Sequence, residues 1–269
     1  MSQSDQPDQP DQPEKNPEAC LIIIGNEILS GRTQDVNLSY LASELNKIGV
    51  TMAEARVIPD VEDTIVKTVN ECRAKYDYVF TTGGIGPTHD DITSECIAKA
   101  FGVEYELNAE AHALLVAHYK EGELNEARLR MARMGKGAEL VENPISKAPG
   151  YRLGNVYVMA GVPVIMQGMF QSMKHLLHGG VPVQSRTIGS EIPEGRIAEG
   201  LGQIQDNYPD VDVGSYPFYR GGSGGPSLVL RSTNIENLEA ATEAVRQIIR
   251  DLGGTPYEGE IGKKAMPEE

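Results

Sequence analysis

The sequence predicts an α/β fold: a three-layer, mostly parallel sheet followed by a small α+β domain. Three observations carry that expectation. Short apolar runs alternate with helical stripes up to about residue 177, the order that builds a parallel sheet with right-handed crossovers. The first run, ACLIII (Ala19 to Ile24), is apolar at every position, as in a strand covered on both faces. After GGVP (Gly179 to Pro182) the order changes to strand, helix, strand, strand, helix, which places a domain boundary near residue 181.

The elements follow in order. After Ala19 to Ile24 comes GNEILSGRTQDVN, a polar, glycine-punctuated loop. Leu38, Leu41, Leu45 and Ile48 recur at helical spacing, and Gly49 ends that helix. TMAEARVI (Thr51 to Ile58) is a second strand, and Val61, Ile65, Val69 and Cys72 mark a second helix. YDYVFTT (Tyr76 to Thr82) is a third strand, and ITSECIAKAFG reads as an amphipathic helix. Asn108 to Met134 reads as largely helical with a break near Gly122. YRLGNVYV is a hairpin around Gly154-Asn155, and Val164 to Leu177 is a helix. In the second domain SRTIGSEI is a strand and RIAEGLGQIQDNY a helix. VDVGSYP and SLVLRST are strands joined by a flexible FYRGGSGGP, and Asn234 to Leu252 closes the chain as a long helix. Residues 1–17, with a thrice-repeated DQP, are expected to be a disordered tail, and 259–269 a flexible C-terminus.

Composition narrows the function. A net charge of −15 argues against nucleic acid as a partner, because phosphate neutralisation needs Lys and Arg surface. No apolar run is long enough for a membrane span, and the acidic, polar start lacks a signal peptide's pattern. Cys20, Cys72 and Cys96 follow no metal spacing and read as buried thiols of a cytoplasmic protein.

The chemistry concentrates in TTGGIGPTHDD (Thr81 to Asp91), which links a strand to a helix. In open α/β sheets ligands bind there. Glycines admit a ligand close to the backbone, and free amides before a helix attract an anion. Asp90 and Asp91 would repel that anion unless one caps the helix, or they hold a hard divalent cation that phosphate completes, or one caps while the other coordinates. The stretch fits neither the Walker loop nor the GxGxxG dinucleotide fingerprint.

TTGGIGPTHDDIT resembles the signature of the MoaB/Mog molybdopterin-binding fold in the form found in CinA, the competence/damage-inducible family. GNEILSGRTQDVN, ENPISKAPG and VYVMAGVPVIMQGMF are similar to three further blocks of that family, in the same order. The later GSYPFYR and GGPSLVLRS resemble its smaller following domain, so the likeness covers about residues 19 to 255. It extends to no C-terminal amidase domain, and amidase activity is not expected. The chain departs from the family at Ala160, where a Pro is common, and at Ile165, where a Glu is common.

The resemblance implies a phosphate or pyrophosphate site on Thr82, Gly83, Gly84, Gly86 and Thr88, with Asn37, Ser146, Lys147 and Gly161 as further contacts. It implies Asp90 and Asp91 as ligands of a divalent metal, Mg²⁺ or Co²⁺, with a monovalent cation as an additional candidate. Glu27, Asp35 and Asp90 are the candidate catalytic carboxylates. Asn37 has an alternative role as N-cap of the Leu38 helix. The implied activity is metal-dependent hydrolysis of a nucleotide pyrophosphate such as ADP-ribose. The alternatives are a binding protein for a nucleotide or pterin phosphate, and a molybdopterin adenylyl transferase or molybdenum insertase. A homo-oligomer, a dimer in the first instance, is expected.

Overall fold

The computed structural model describes residues 15–220 and 223–259. The chain divides into two compact units between Val181 and Pro182. Most of the expected tail therefore lies outside the described residues, but its last part is anchored. Asn16 Nδ2 donates to Val181 O at 2.8 Å, and Asn16 Oδ1 accepts from Val181 N at 2.9 Å.

The first unit is the expected α/β fold. It opens with β1 (Glu18–Ile24), in which Ala19 to Ile24 are all buried. The loop after β1 contains one helical turn that the sequence reading did not anticipate, α1 (Asn26–Leu29). Then come α2 (Asn37–Asn46), β2 (Thr51–Ile58), α3 (Glu62–Lys75), β3 (Tyr78–Thr82) and α4 (Thr93–Phe101). Gly102 ends α4 in the left-handed conformation, with φ 66°.

The stretch expected to be largely helical is more broken. After β4 (Tyr105–Leu107), α5 (Ala109–His118) is capped by Asn108, whose Oδ1 accepts from Ala111 N at 2.9 Å. Gly122 interrupts with φ 81°, and α6 (Glu126–Leu129) is a single turn capped by Asn125. A 3₁₀ turn, Arg130–Ala132, leads into β5 (Arg133–Gly135), which pairs antiparallel with β4. Helical propensity at 133–134 yields there to a ladder with β4, as Glu106 pairs with Met134 and Leu107 with Arg133.

The unit continues through β6 (Glu139–Val141), β7 (Gly150–Leu153), β8 (Val156–Met159) and α7 (Pro163–Met173), with Pro163 at the first turn of α7. The hairpin turns at Gly154, φ 57°. The sheet order is β2-β1-β3-β8-β7-β6. β2, β1, β3 and β8 run parallel, and only β7 pairs antiparallel with its neighbours.

Side chains alternate across the sheet into two cores. Ile22 and Ile24 join Ile65 and Val69 of α3 and Ile97 of α4 on one face. Leu21 and Phe80 join Leu41 and Leu45 of α2 and Met166 and Phe170 of α7 on the other. Each buried Leu or Ile contributes about 1.5–3 kcal/mol relative to exposure.

Glu44 ties the second face together. Its buried carboxylate accepts from Lys47 on α2, from Gln171 Nε2 at 2.9 Å on α7, and from Lys174 Nζ at 3.3 Å. Lys47 first, then Gln171, holds the group down to about 2. A folded-state value below the unfolded 4.5 stabilises fully above pH 4.5, and that contribution drains away as the pH falls toward 2. Glu44→Gln is therefore expected to lower the melting temperature at neutral pH and to converge on the parent near pH 2. Melting curves between pH 7 and 2 check this; curves that stay parallel would contradict it.

The second unit comprises β9 (Gln184–Gly189), α8 (Glu194–Asn207), β10 (Asp212–Arg220), β11 (Ser223–Ser232), α9 (Ile235–Asp251) and β12 (Tyr257–Glu258). Its strands form an antiparallel sheet ordered β10-β11-β9-β12. The segment expected as a flexible connection is mostly ladder: β10 and β11 stay paired out to Arg220 and Ser223, and residues 221–222 lie outside the described residues. Leu238, Ala241, Val245 and Ile249 of α9 pack on Leu228 and Leu230 of β11. No described helix in either unit is long and apolar enough to cross a membrane.

Candidate functional site

β1, β3 and β8 are neighbours and parallel, so the loops after Ile24, Thr82 and Met159 emerge on one rim of the sheet. That rim is where an open α/β sheet builds its crevice. The turn after β3 is the tightest of the three. Gly83 has φ 102°, and a Cβ there would lie 2.1 Å from Ile24 O. Gly84 has φ 68°, and a Cβ there would lie 2.1 Å from Thr93 Oγ1. Gly161 backs onto Gly83, its ideal Cβ position only 3.2 Å from Gly83 Cα.

Hydrogen bonds fix this junction. Gly83 N donates to Met159 O at 3.2 Å, and Thr93 N donates to Gly84 O at 3.0 Å. The Gly83 amide is thus committed, which corrects its expected place among the phosphate donors. The amides of Gly84, Ile85 and Gly86 have no acceptor among the described residues. Three buried side-chain oxygens nearby also lack partners there: Asn37 Oδ1, Thr82 Oγ1 and Thr93 Oγ1. Such groups are costly unless a water or ligand completes them.

The two aspartates face a shared hydroxyl. Thr88 Oγ1 lies 2.5 Å from both Asp90 Oδ1 and Asp91 Oδ2, and can donate its one proton to either. Thr88 N donates to Asp91 Oδ2 at 2.8 Å. The Thr88 hydroxyl, then Asp90's own amide, holds the Asp90 carboxyl below the usual carboxylate range, with His89 and Arg130 adding to the effect. Neither aspartate caps α4: its N-cap is Ile92, with no side-chain bond. The capping role expected for one of them is replaced by this Thr88 turn, in which Asp90 is exposed and Asp91 half-buried.

The loop after β1 assigns its residues differently from the sequence reading. Asp35 supplies the acceptors at the start of α2, Oδ2 to Asn37 N at 3.1 Å and Oδ1 to Leu38 N at 3.2 Å. Both its oxygens are engaged, so Asp35 acts as the helix-starting residue and is poorly placed as a catalytic base. Asn37 is freed from capping, and its Nδ2 donates to Gly161 O at 2.9 Å, joining the first loop to the third. Glu27 sits exposed on α1 with its carboxylate folded over Gly25, whose ideal Cβ position is 2.5 Å from both Oε atoms. No hydrogen bond among the described residues joins Glu27 to Asp90 or Asp91.

A fourth loop, 142–149, lies on the same rim because β7 runs back from the end of β8. Its hub is Asn143, only 2% exposed. Asn143 Nδ2 donates to Ser146 Oγ at 2.6 Å and Ala148 O at 2.8 Å, while Oδ1 accepts from Ile145 N and Ser146 N. Ser146 is therefore held by the loop itself. Lys147 is the one described non-glycine residue with positive φ, 61°, and its half-exposed Nζ is 3.9 Å from Glu142 Oε1. Asn143→Ala is expected to destabilise the first unit by about 2 kcal/mol, because the loop loses all four hydrogen bonds made by one buried side chain. Urea unfolding of Asn143→Ala beside Ser146→Ala checks this; equal losses would refute the hub.

Asn143 and Arg130 are the residues the sequence reading missed. Arg130 Nη2 donates to Asp91 O at 3.3 Å. Ile165, the departure from the common Glu, is partly buried in the first turn of α7 and packs against the α2/α7 core.

The donor set sets a limit on metal binding. No three His, Cys, Asp or Glu side chains among the described residues converge as a cage. Two carboxylates on one turn instead fit the Mg²⁺ mode, in which one or two carboxylates hold the ion together with substrate phosphates.

The family model described as "Probable molybdopterin binding domain" matches residues 20–179. The chain belongs to this family. A second model, "FAD synthase, middle domain", matches residues 182–254. The crystal structure of the protein CinA from Thermoplasma acidophilum, described as of unknown function, aligns with a TM-score of 0.55 and 32% identity over 59% of this chain and 97% of that one. An Archaeoglobus fulgidus protein is 32% identical over 232 residues, 86% of this chain and 96% of its own length. A CinA-like protein of Citrifermentans bemidjiense is 38% identical over 157 residues, of which this chain spans only 38% of the relative. This member of the molybdopterin-binding-domain family is thus CinA-like, and its Gly83–Asp91 turn stands at the rim of the matched region.

Proposed function

We propose that the first unit binds the pyrophosphate of a nucleotide at Gly84–Gly86 and hydrolyses it with a divalent cation held by Asp90 and Asp91, ADP-ribose being the model substrate. The observation that carries this reading is the juxtaposition on one turn: three unpartnered amides, Gly84 to Gly86, begin at the second of two positive-φ glycines, and two carboxylates close the turn on the Thr88 hydroxyl. Amides alone suit an anion, and carboxylates alone suit a cation. Together they suit a phosphate with its metal.

The chain's own residues have separable parts in this reading. The amides of Gly84, Ile85 and Gly86 stabilise charge on the phosphate oxygens, with the Thr82 and Thr93 hydroxyls as further donors. Asn37 holds the Gly161 loop against the turn. Glu27, exposed on the neighbouring loop, is the carboxylate able to orient a water. When bound, the cation supplies charge neutralisation and a lower pKa for that water.

The match of the second unit to the FAD synthase middle domain favours FAD as a second nucleotide pyrophosphate to try. The test is product analysis with ADP-ribose and FAD, each with and without Mg²⁺ or Co²⁺. Metal-dependent AMP with ribose phosphate, or with FMN, is the expected result. Bound but intact nucleotide would leave a binding protein and remove the hydrolase. Neither binding nor turnover, with molybdopterin bound instead, would favour the transferase branch.

A further inference from the structure

Arg130 has no part in the reading above, yet it lies against the turn that carries it. The 3₁₀ turn Arg130–Ala132, between α6 and β5, brings the half-buried Arg130 against the main chain of Asp91. Nη2 donates to the main-chain O of Asp91 at 3.3 Å. Several partly buried arginines are neutralised by carboxylates, Arg56 by Glu54 and Glu71, Arg152 by Glu139, Arg246 by Glu243 and Glu258, while Arg73 and Arg128, which lack a carboxylate, lie over the rings of Phe101 and Tyr119. Arg130 makes no ion pair within 4.0 Å among the described residues, because Asp90 and Asp91 both turn their carboxylates to Thr88.

A fixed cation beside two carboxylates has opposite effects on two ligands. It repels a free divalent cation approaching Asp90 and Asp91, and it attracts a phosphate approaching the same turn. Guanidinium is suited to the second task, since its planar fork matches two phosphate oxygens. We propose that Arg130 makes metal binding at the Asp90–Asp91 turn conditional on pyrophosphate: the metal alone binds weakly, and metal with pyrophosphate binds as a unit that the guanidinium contacts. The ligand class is then a diphosphate carried in as its metal complex. This rests on the functional reading given above.

The test titrates Mn²⁺ alone, inorganic pyrophosphate alone, and pyrophosphate at fixed Mn²⁺ into the full chain, for the parent, Arg130→Met and Arg130→Lys. Free Mn²⁺ is read by electron paramagnetic resonance and heat by calorimetry. Arg130→Met is expected to bind Mn²⁺ alone about tenfold tighter and Mn²⁺-pyrophosphate at least about tenfold weaker, the equivalent of one removed unit charge. Arg130→Lys is expected to restore the weak binding of metal alone and part of the pyrophosphate affinity. A merely structural arginine would weaken both ligands together, so loss of both in Arg130→Met and Arg130→Lys overturns the proposal. So does unchanged binding of both ligands. If the parent binds neither ligand, the functional reading itself fails and this proposal falls with it. Melting curves confirm that each variant is folded, and Arg130→Lys supplies the decision if Arg130→Met is not.

Discussion

Gly83→Ala is expected to cost the first unit at least about 2 kcal/mol and to abolish phosphate binding. Two penalties coincide at this position. A φ of 102° lies outside the range that residues with a Cβ adopt, and the added carbon would sit 2.1 Å from Ile24 O. That oxygen belongs to the central strand β1, which is buried and cannot move aside. A loss of 2 kcal/mol corresponds to a melting temperature lower by about 4–8 °C for a unit of this size. Gly31→Ala is the control: its φ is 73°, but nothing lies within 4 Å of the added carbon. It should cost only the conformational preference, about 1 kcal/mol, and leave the turn intact. Equal melting temperatures for the two variants would contradict the close approach that shapes the site.

The second large effect belongs to the aspartates. Asp90→Asn with Asp91→Asn keeps the size of both side chains and an acceptor oxygen for Thr88, and removes two charges. Turnover of a nucleotide pyrophosphate is expected to fall by about 10²- to 10³-fold, with the metal requirement lost. Stability should change little, since Asp90 is exposed and neither residue caps α4. Comparing rates across a metal titration, with melting curves alongside, separates the two. A double variant with the parent's rate and metal dependence would remove these residues from the chemistry.

Much of the fold was legible because its signals are local. An all-apolar run such as Ala19 to Ile24 has few homes other than a strand buried on both faces, and the stripe at Leu38, Leu41 and Leu45 finds the α2 core. The Gly83-Gly84 turn could be read because only glycine serves there. What stayed hidden depends on distant partners. Three-residue strands such as β4 and β5 carry almost no periodicity, and their pairing exists only as a ladder. Asp35 and Asn37 are both good helix-starting residues. Which of them does the capping is settled by Gly161, 124 residues away, which claims the Asn37 amide. Arg130 belongs to a basic helical segment that looks like ordinary solvated surface until the chain folds it over Asp91. Asn143 hides inside ENPISKAPG for the same reason, as its bonds are set by the closed loop.

The most direct test of the pyrophosphate turn is a backbone amide NMR titration with ADP-ribose in the presence and absence of Mg²⁺. Large, Mg²⁺-dependent shifts centred on the amides of Gly84, Ile85 and Gly86, with smaller ones at Asp90 and Asp91, are the predicted result. Shifts confined to residues 182–254, or shifts at the turn that ignore Mg²⁺, would contradict it.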